Sequence, residues 1–520
     1  MKRVKRVLAL LAAFALVLAM AVPAFAEEAT HQLKVNASGE NHTYKVYQIF
    51  TGEMSTNEAG AKVLSNIKWG ANGTRKTGDA VETGILTALE SATGSDTKKL
   101  EAIQKFVNLN TDAFATLNHE NSYAANVPAG YYLVKDEDNT LNGEDEAYTT
   151  FLVNVVGENV TLAPKSAKPS VNKFVQDEAA DKDTDSTDSN GWGKTADHAI
   201  NESFKFKLTA TLSPDVAFGA YSTYKVQFTD TMSAGVTFES IDSVTVDGKN
   251  VTKNDYKCTA TDGQAGGEWT LTIDDIKSIP DVNLEDGAEI VVVYNAHLNE
   301  KADVSHKNDD TTTNENKVYL KYSNNPNTSG SGEELGKTPE ENVWVFTYEV
   351  DNTKMTGAGD TDLKPLAGAG FRLYRDDKCS QEIDLIYDET LSAYRPTKDG
   401  EKSEEMISAK GTGIFNIVGL DAGVYYMRET TTPTGYNTCN DVTIVINARH
   451  QKTESGGNNV TFTKSGENAS TLKNIIINNA GTTLPSTGGM GTTVFYVVGG
   501  GLMAVAVVLL VTKKRMENKR

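Results

Sequence analysis

Along most of the chain apolar and polar positions alternate in short runs: HTYKVYQIF (42–50), YYLVKD (131–136), FLVNVV (151–156), FKFKLTATL (204–212), YKVQFTD (224–230), EWTLTI (268–273), EIVVVYNAHL (289–298), KVYLKYS (317–323) and WVFTYEV (344–350). A period of two puts residues i, i+2 and i+4 on one face, so each run predicts a strand with one buried side. Val, Ile, Thr, Tyr and Phe fill the runs, while Gly, Asn, Asp and Pro separate them. One stretch, Asp96 to Leu117, reads as helix instead. The expected class is mainly β, with immunoglobulin-like sandwiches in tandem and some helix in the first.

Two polar breaks divide the alternating region. PKSAKP (164–169) is a short proline-bounded linker, and NNPNTSGSGEELGKTPEEN (324–342) is a Gly- and Ser-rich connector. They predict domains at 27–164, 165–330 and 331–483. VPAGYYLVKD (127–136) also echoes LDAGVYYMRET (420–430), which suggests related folds at the two ends. The termini abandon the alternation. Lys2, Arg3, Lys5 and Arg6 precede an apolar run, Val7 to Val22, and then Ala24-Phe25-Ala26, the pattern of a signal peptide over 1–26. Val494 to Val511 is an 18-residue apolar run followed by Lys513, Lys514 and Arg515, long enough to span a bilayer with a cytoplasmic stop.

Charge narrows the partners. The formal net charge is −20; four basic residues leave with the signal, and five basic and one acidic with everything after Thr487, so the mature chain carries −28. Such a surface repels nucleic acid and anionic membrane. Three cysteines, Cys258, Cys379 and Cys439, are too few for a disulfide framework in an exported chain of this size. The acidic run DKDTDSTDSNG (181–191) has Ser186 where a calcium loop needs Gly, and reads as a solvated loop. No HExxH, GxSxG or GxxxxGK[ST] occurs, so no enzyme with turnover, no cofactor and no metal is expected.

Leu484, Pro485, Ser486, Thr487 and Gly488 stand just before the apolar run and basic end. This order resembles a Gram-positive cell-wall sorting signal, occupying 484–520 here. The resemblance implies cleavage between Thr487 and Gly488 by a sortase, which passes the Thr487 carbonyl to an amine. Pro485 holds the segment extended, and Gly488 leaves the scissile bond unobstructed. YYMRETTTPTGY (425–436), with LAGAGFRLY (366–374) upstream and IIINN before the sorting signal, resembles the E-box strand of sortase-assembled backbone pilins. That family implies Cna-type sandwiches closed by internal Lys–Asn isopeptide bonds. It also implies partners: sortases, further copies of the chain, accessory pilins, peptidoglycan and host surface ligands.

The chemistry needs three groups. A lysine amine is a nucleophile only when neutral, and burial lowers its pKa by desolvating the charged form. A buried carboxylic acid polarises an asparagine amide and hands a proton to the departing ammonia. Contact between amine and amide supplies an effective molarity of ~10⁵ M or more, enough for a single turnover. By the resemblance, Lys354 is the nucleophile, Glu429 the acid and Asn478 the acceptor of the third domain. Asn479, next to it, faces the opposite side of a strand. In the middle domain the matching residues are Lys173, Asp230 and Asn316, with Asn295 and Asn314 as rival acceptors. The lysine that would accept Thr487 of another subunit falls at Lys165 in VTLAPK, where the family has YPK; Lys168 is its competitor, and the departure leaves open a wall-anchored adhesin or accessory subunit.

Overall fold

The computed structural model describes residues 30–480 and 509, apart from 38, 92–95, 142, 165–167, 178–189, 215, 283, 285–286, 307–313, 328–331, 358–361, 453–457, 465–466 and 469–471. The expected leader, Lys165, the segment Leu484 to Gly488 and nearly all of the apolar run after it lie outside the described residues. Among the described residues no helix is long and apolar enough to cross a membrane.

The alternating runs form strands packed as β-sandwiches. In the first domain His31–Val35 pairs with Ala124–Val127 and Val160–Leu162, and a second sheet joins Lys62–Trp69, Tyr44–Thr56, Gly130–Asp136 and Thr150–Val155. Tyr44, Val46, Tyr132 and Val134 fill the space between these sheets. Phe50, Trp69 and Leu133 on the other face pack on Leu86, Leu89 and Leu100 of two helices, Thr83–Ser91 and Asp96–Ile103. The helix expected over 96–117 is thus shorter, ending in a 3₁₀ turn at Phe106. Asn108 accepts from the backbone of Asn110 and from the Thr111 hydroxyl, local bonds that compete with helix, and Ala115–Leu117 then pairs with Tyr44–Val46.

The middle sandwich is built around one long strand, Val226–Val246. Its first part pairs with Ala265–Ile273 and Asn314–Ser323, and its second with Ala288–Leu298, which continues to Ser203–Leu212 and Ser170–Gln176. The strand therefore passes from one sheet to the other. Gly235 sits at the crossing, where an added Cβ would lie 2.5 Å from the Ala302 Cα. Glu341–Phe346, which the sequence assigns to the third domain, pairs antiparallel with Asn314–Val318 and parallel with Thr195–Asp197, inside the middle sheet. Pairing changes sandwich at the buried Thr347, and the boundary expected at 331 moves there.

The last sandwich opens with Tyr348–Thr356, flanked by Ile417–Leu420 and, in parallel, by the final strand Lys473–Asn478. The facing sheet holds Gly370–Tyr374, Gly423–Thr431 and Val442–Ile446. Phe371, Phe415, Met427, Ile444 and Ile476 lie between them. The echoed segments adopt one local geometry. Tyr132 donates its hydroxyl to the Pro128 carbonyl at 2.7 Å and Tyr425 to that of Asp421 at 2.8 Å, each four residues back at the start of a strand.

Candidate functional site

Among the described residues two lysines are buried, Lys173 and Lys354, each with no exposed surface. In the last sandwich parallel pairing sets Lys354 opposite Ile476 and Thr356 opposite Asn478, so Lys354 and Asn478 are diagonal neighbours on the inner face. Lys354 Nζ donates to Asn478 Oδ1 at 2.6 Å, and Asn478 Nδ2 donates to Glu429 Oε1 at 2.6 Å. Glu429 arrives from the facing sheet, with Oε2 3.8 Å from the amine and accepting the Cys439 amide at 2.7 Å. The Phe371 ring lies 5.0 Å from Nζ and stacks on Phe415. Burial draws the Lys354 pKa down, toward the neutral amine. Asn479 is exposed, on the other face of the sheet.

In the middle sandwich Lys173 reaches across the core from the Ser170–Gln176 strand. Its amine meets Asp230 Oδ2 directly and lies 3.2 Å from the Tyr294 hydroxyl. That hydroxyl is also 3.2 Å from Asp230 Oδ2 and takes a 2.6 Å bond from Asn316 Nδ2. One donor and two acceptor sites saturate it: it donates to Asp230 and accepts from Lys173 and Asn316. Asn316 Oδ1 is buried with no hydrogen-bond partner. Burial lowers the Lys173 amine to about 8 and raises Asp230. The rival Asn295 points outward and bonds Ser240 Oγ at 3.1 Å, and Asn314 is tied to Asp303 and the Val345 carbonyl.

Two participants escaped the sequence reading. Tyr294 precedes Asn295 in an alternating strand, so one parity places the tyrosine inside and the asparagine out; that signal was present. Cys439 carried none, because only the fold brings it to Glu429. Lys168 bonds Asp145 Oδ2 at 2.7 Å and lies 3.7 Å from Glu146, on the surface of the first domain.

The echo also aligns two buried acids. Asp136 occupies the place in GYYLVKD that Glu429 holds in GVYYMRE and is likewise buried, but its partner is His42, whose Nδ1 is 2.9 Å from Asp136 Oδ2. The Asp136 hydrogen bond raises the His42 pKa.

Residues 351–473 match the family model described as a SpaA prealbumin-like fold domain, and 476–518 match the LPXTG cell wall anchor motif. The chain is a surface protein anchored to the cell wall. It is 25% identical over 398 residues to the trypsin-resistant surface T6 protein of Streptococcus pyogenes serotype M6, covering 64% of this chain and 66% of that protein, just under two thirds. Among solved structures it resembles the T6 backbone pilin of serotype M6 S. pyogenes (TM-score 0.46, 19% identity, 88% of this chain and 100% of that one). It also resembles the full-length major pilin SpaD of Corynebacterium diphtheriae (TM-score 0.41, 16% identity, 88% and 99%).

Proposed function

We propose that this chain, a wall-anchored member of the Gram-positive sortase-assembled pilins, is the backbone subunit of a covalent surface pilus. Sortase joins Thr487 of one copy to Lys165 of the next, and two internal Lys–Asn bonds hold the sandwiches closed. The observation that carries this reading is the contact of Lys354, Asn478 and Glu429 in a buried core, with both amide atoms engaged at 2.6 Å.

The reaction follows from that contact. Glu429 takes a proton from the amine, Nζ attacks Asn478 Cγ, and the same carboxyl returns the proton to Nδ2. The Nζ–Cγ bond forms, the Cγ–Nδ2 bond breaks and ammonia leaves. In the middle domain Asp230 takes the proton from Lys173, and the Tyr294 hydroxyl carries it to Asn316 Nδ2. Both bonds join strands remote in sequence. Pulling force on the last sandwich enters at its first strand and leaves by its last, so the Lys354–Asn478 bond bypasses everything between.

Intact mass of the mature ectodomain tests the internal chemistry. Two bonds remove two ammonias, a deficit of about 34 Da, with none from the first domain, where histidine stands beside the acid. A mass equal to the sequence overturns this part. Polymerisation is tested by expression with a pilus sortase, where a ladder that survives boiling in detergent is expected. A wall-linked monomer alone supports the adhesin or accessory role instead.

A further inference from the structure

The junction of the middle and last sandwiches buries a concentration of charge that neither cross-link uses. Asp177 and Asp197 come from the middle domain, and Asp421 and His450 from the last; all four are buried. His450 Nε2 is 3.3 Å from Asp177 Oδ2 and 3.7 Å from Asp197 Oδ2. Its other nitrogen, Nδ1, is 2.9 Å from Thr195 Oγ1, and the Tyr348 hydroxyl donates to Asp197 Oδ2 at 2.6 Å. The second carboxylate oxygen of Asp197, Oδ1, is buried, and the neighbouring Asp421 carboxyl is the hydrogen-bond partner on that side of Asp197. Asp421 lies beyond it with His198 and Glu202, and His198 Nε2 is held by the Gln176 carbonyl at 2.8 Å.

Charge does not balance here. Three buried carboxylates face two imidazoles, so even full protonation of both leaves a surplus of negative charge. Arg375 shares an outer cleft with Glu202 rather than the buried centre. Buried carboxylates in this position are satisfied by protons or by a metal ion.

We propose that Asp177, Asp197 and His450 bind a divalent ion of the zinc class across the domain junction. Ligands about 2.0–2.2 Å from a tetrahedral ion lie roughly 3.4 Å from one another, and the two measured separations from Nε2, 3.3 and 3.7 Å, fit that edge. An imidazole with two carboxylates suits zinc or manganese better than calcium. Thr195 on Nδ1 and Tyr348 on Asp197 supply the outer hydrogen bonds that orient such ligands. Because His450 belongs to one sandwich and both aspartates to the other, the ion fixes their relative orientation.

The test is equilibrium dialysis of the mature chain against Zn²⁺ at pH 7, with bound metal counted and Co²⁺ absorption recorded as a probe of tetrahedral nitrogen and oxygen ligation. One ion per chain and a higher melting temperature with metal are expected. Asp197→Asn and His450→Gln should weaken binding at least tenfold. Failure of the wild-type chain to retain Zn²⁺ or Mn²⁺ overturns the proposal, without reference to how any variant folds. So does equal retention by both variants, since the ion then sits on the acidic surface. Neither outcome touches the pilus reading, whose tests are mass and polymerisation.

Discussion

Replacing Glu429 by Ala removes the proton carrier while leaving amine and amide in contact. The bond it would otherwise form closes a loop spanning 124 residues, from Lys354 to Asn478. Chain-entropy arithmetic for a loop of that length gives about 5 kcal/mol of stabilisation at 25 °C, near the upper end for covalent cross-links. For a domain of this size each kcal/mol moves the melting temperature by about 3 °C, so the last sandwich should melt about 15 °C lower in the variant. The amine left buried without its carboxylate adds to the loss. Two measurements on one preparation check this: intact mass, which should show one ammonia fewer lost, and calorimetry, which should show one transition moved down and the others in place. Asn478→Ala should behave alike, and both should expose the domain to trypsin. If Glu429→Ala keeps the full deficit of two ammonias, Glu429 takes no part in the chemistry. If the ammonia is retained but melting moves by less than about 3 °C, the loop-entropy argument is wrong.

Tyr294→Phe deletes the hydroxyl that links Asp230 to Asn316 and should slow middle-domain bond formation by ~10²-fold or more, read as uncrosslinked mass persisting during refolding; wild-type kinetics would sink the relay. Lys165→Ala should keep both internal bonds and abolish the sortase ladder, whereas Lys168→Ala, whose amine is paired with Asp145, should keep it; the reverse result moves the junction to Lys168. In the first domain the His42–Asp136 pair raises the histidine pKa above 6.5, so its stabilisation is complete below pH 6.5 and is lost as pH rises through the folded value. The first-domain transition of wild type should therefore fall as pH rises above 6.5 relative to that of His42→Gln, and parallel curves for the two proteins would refute the assignment.

Alternation and turn residues were enough to read strands packed as β-sandwiches, because a period of two is a local property and each run carries it whole. The wall anchor was legible for the same reason, being a short ordered string. Parity along a strand could separate Asn478 from Asn479 and Tyr294 from Asn295, and the E-box wording pointed to Glu429. Other features depended on which strands meet. The Glu341–Phe346 strand has the same alternating pattern in either domain, and only its pairing with Asn314–Val318 and Thr195–Asp197 assigns it to the middle one. The helix after Asp96 stops early because Asn108 and Thr111 offer the backbone other bonds, a competition that composition suggests and geometry decides. Cys439 beside Glu429, the histidine beside Asp136 and the cluster of Asp177, Asp197 and His450 join residues from 10 to 273 positions apart. Chemistry at such separations is set by tertiary packing, since nothing in the intervening sequence records which distant side chain will fill the space opposite.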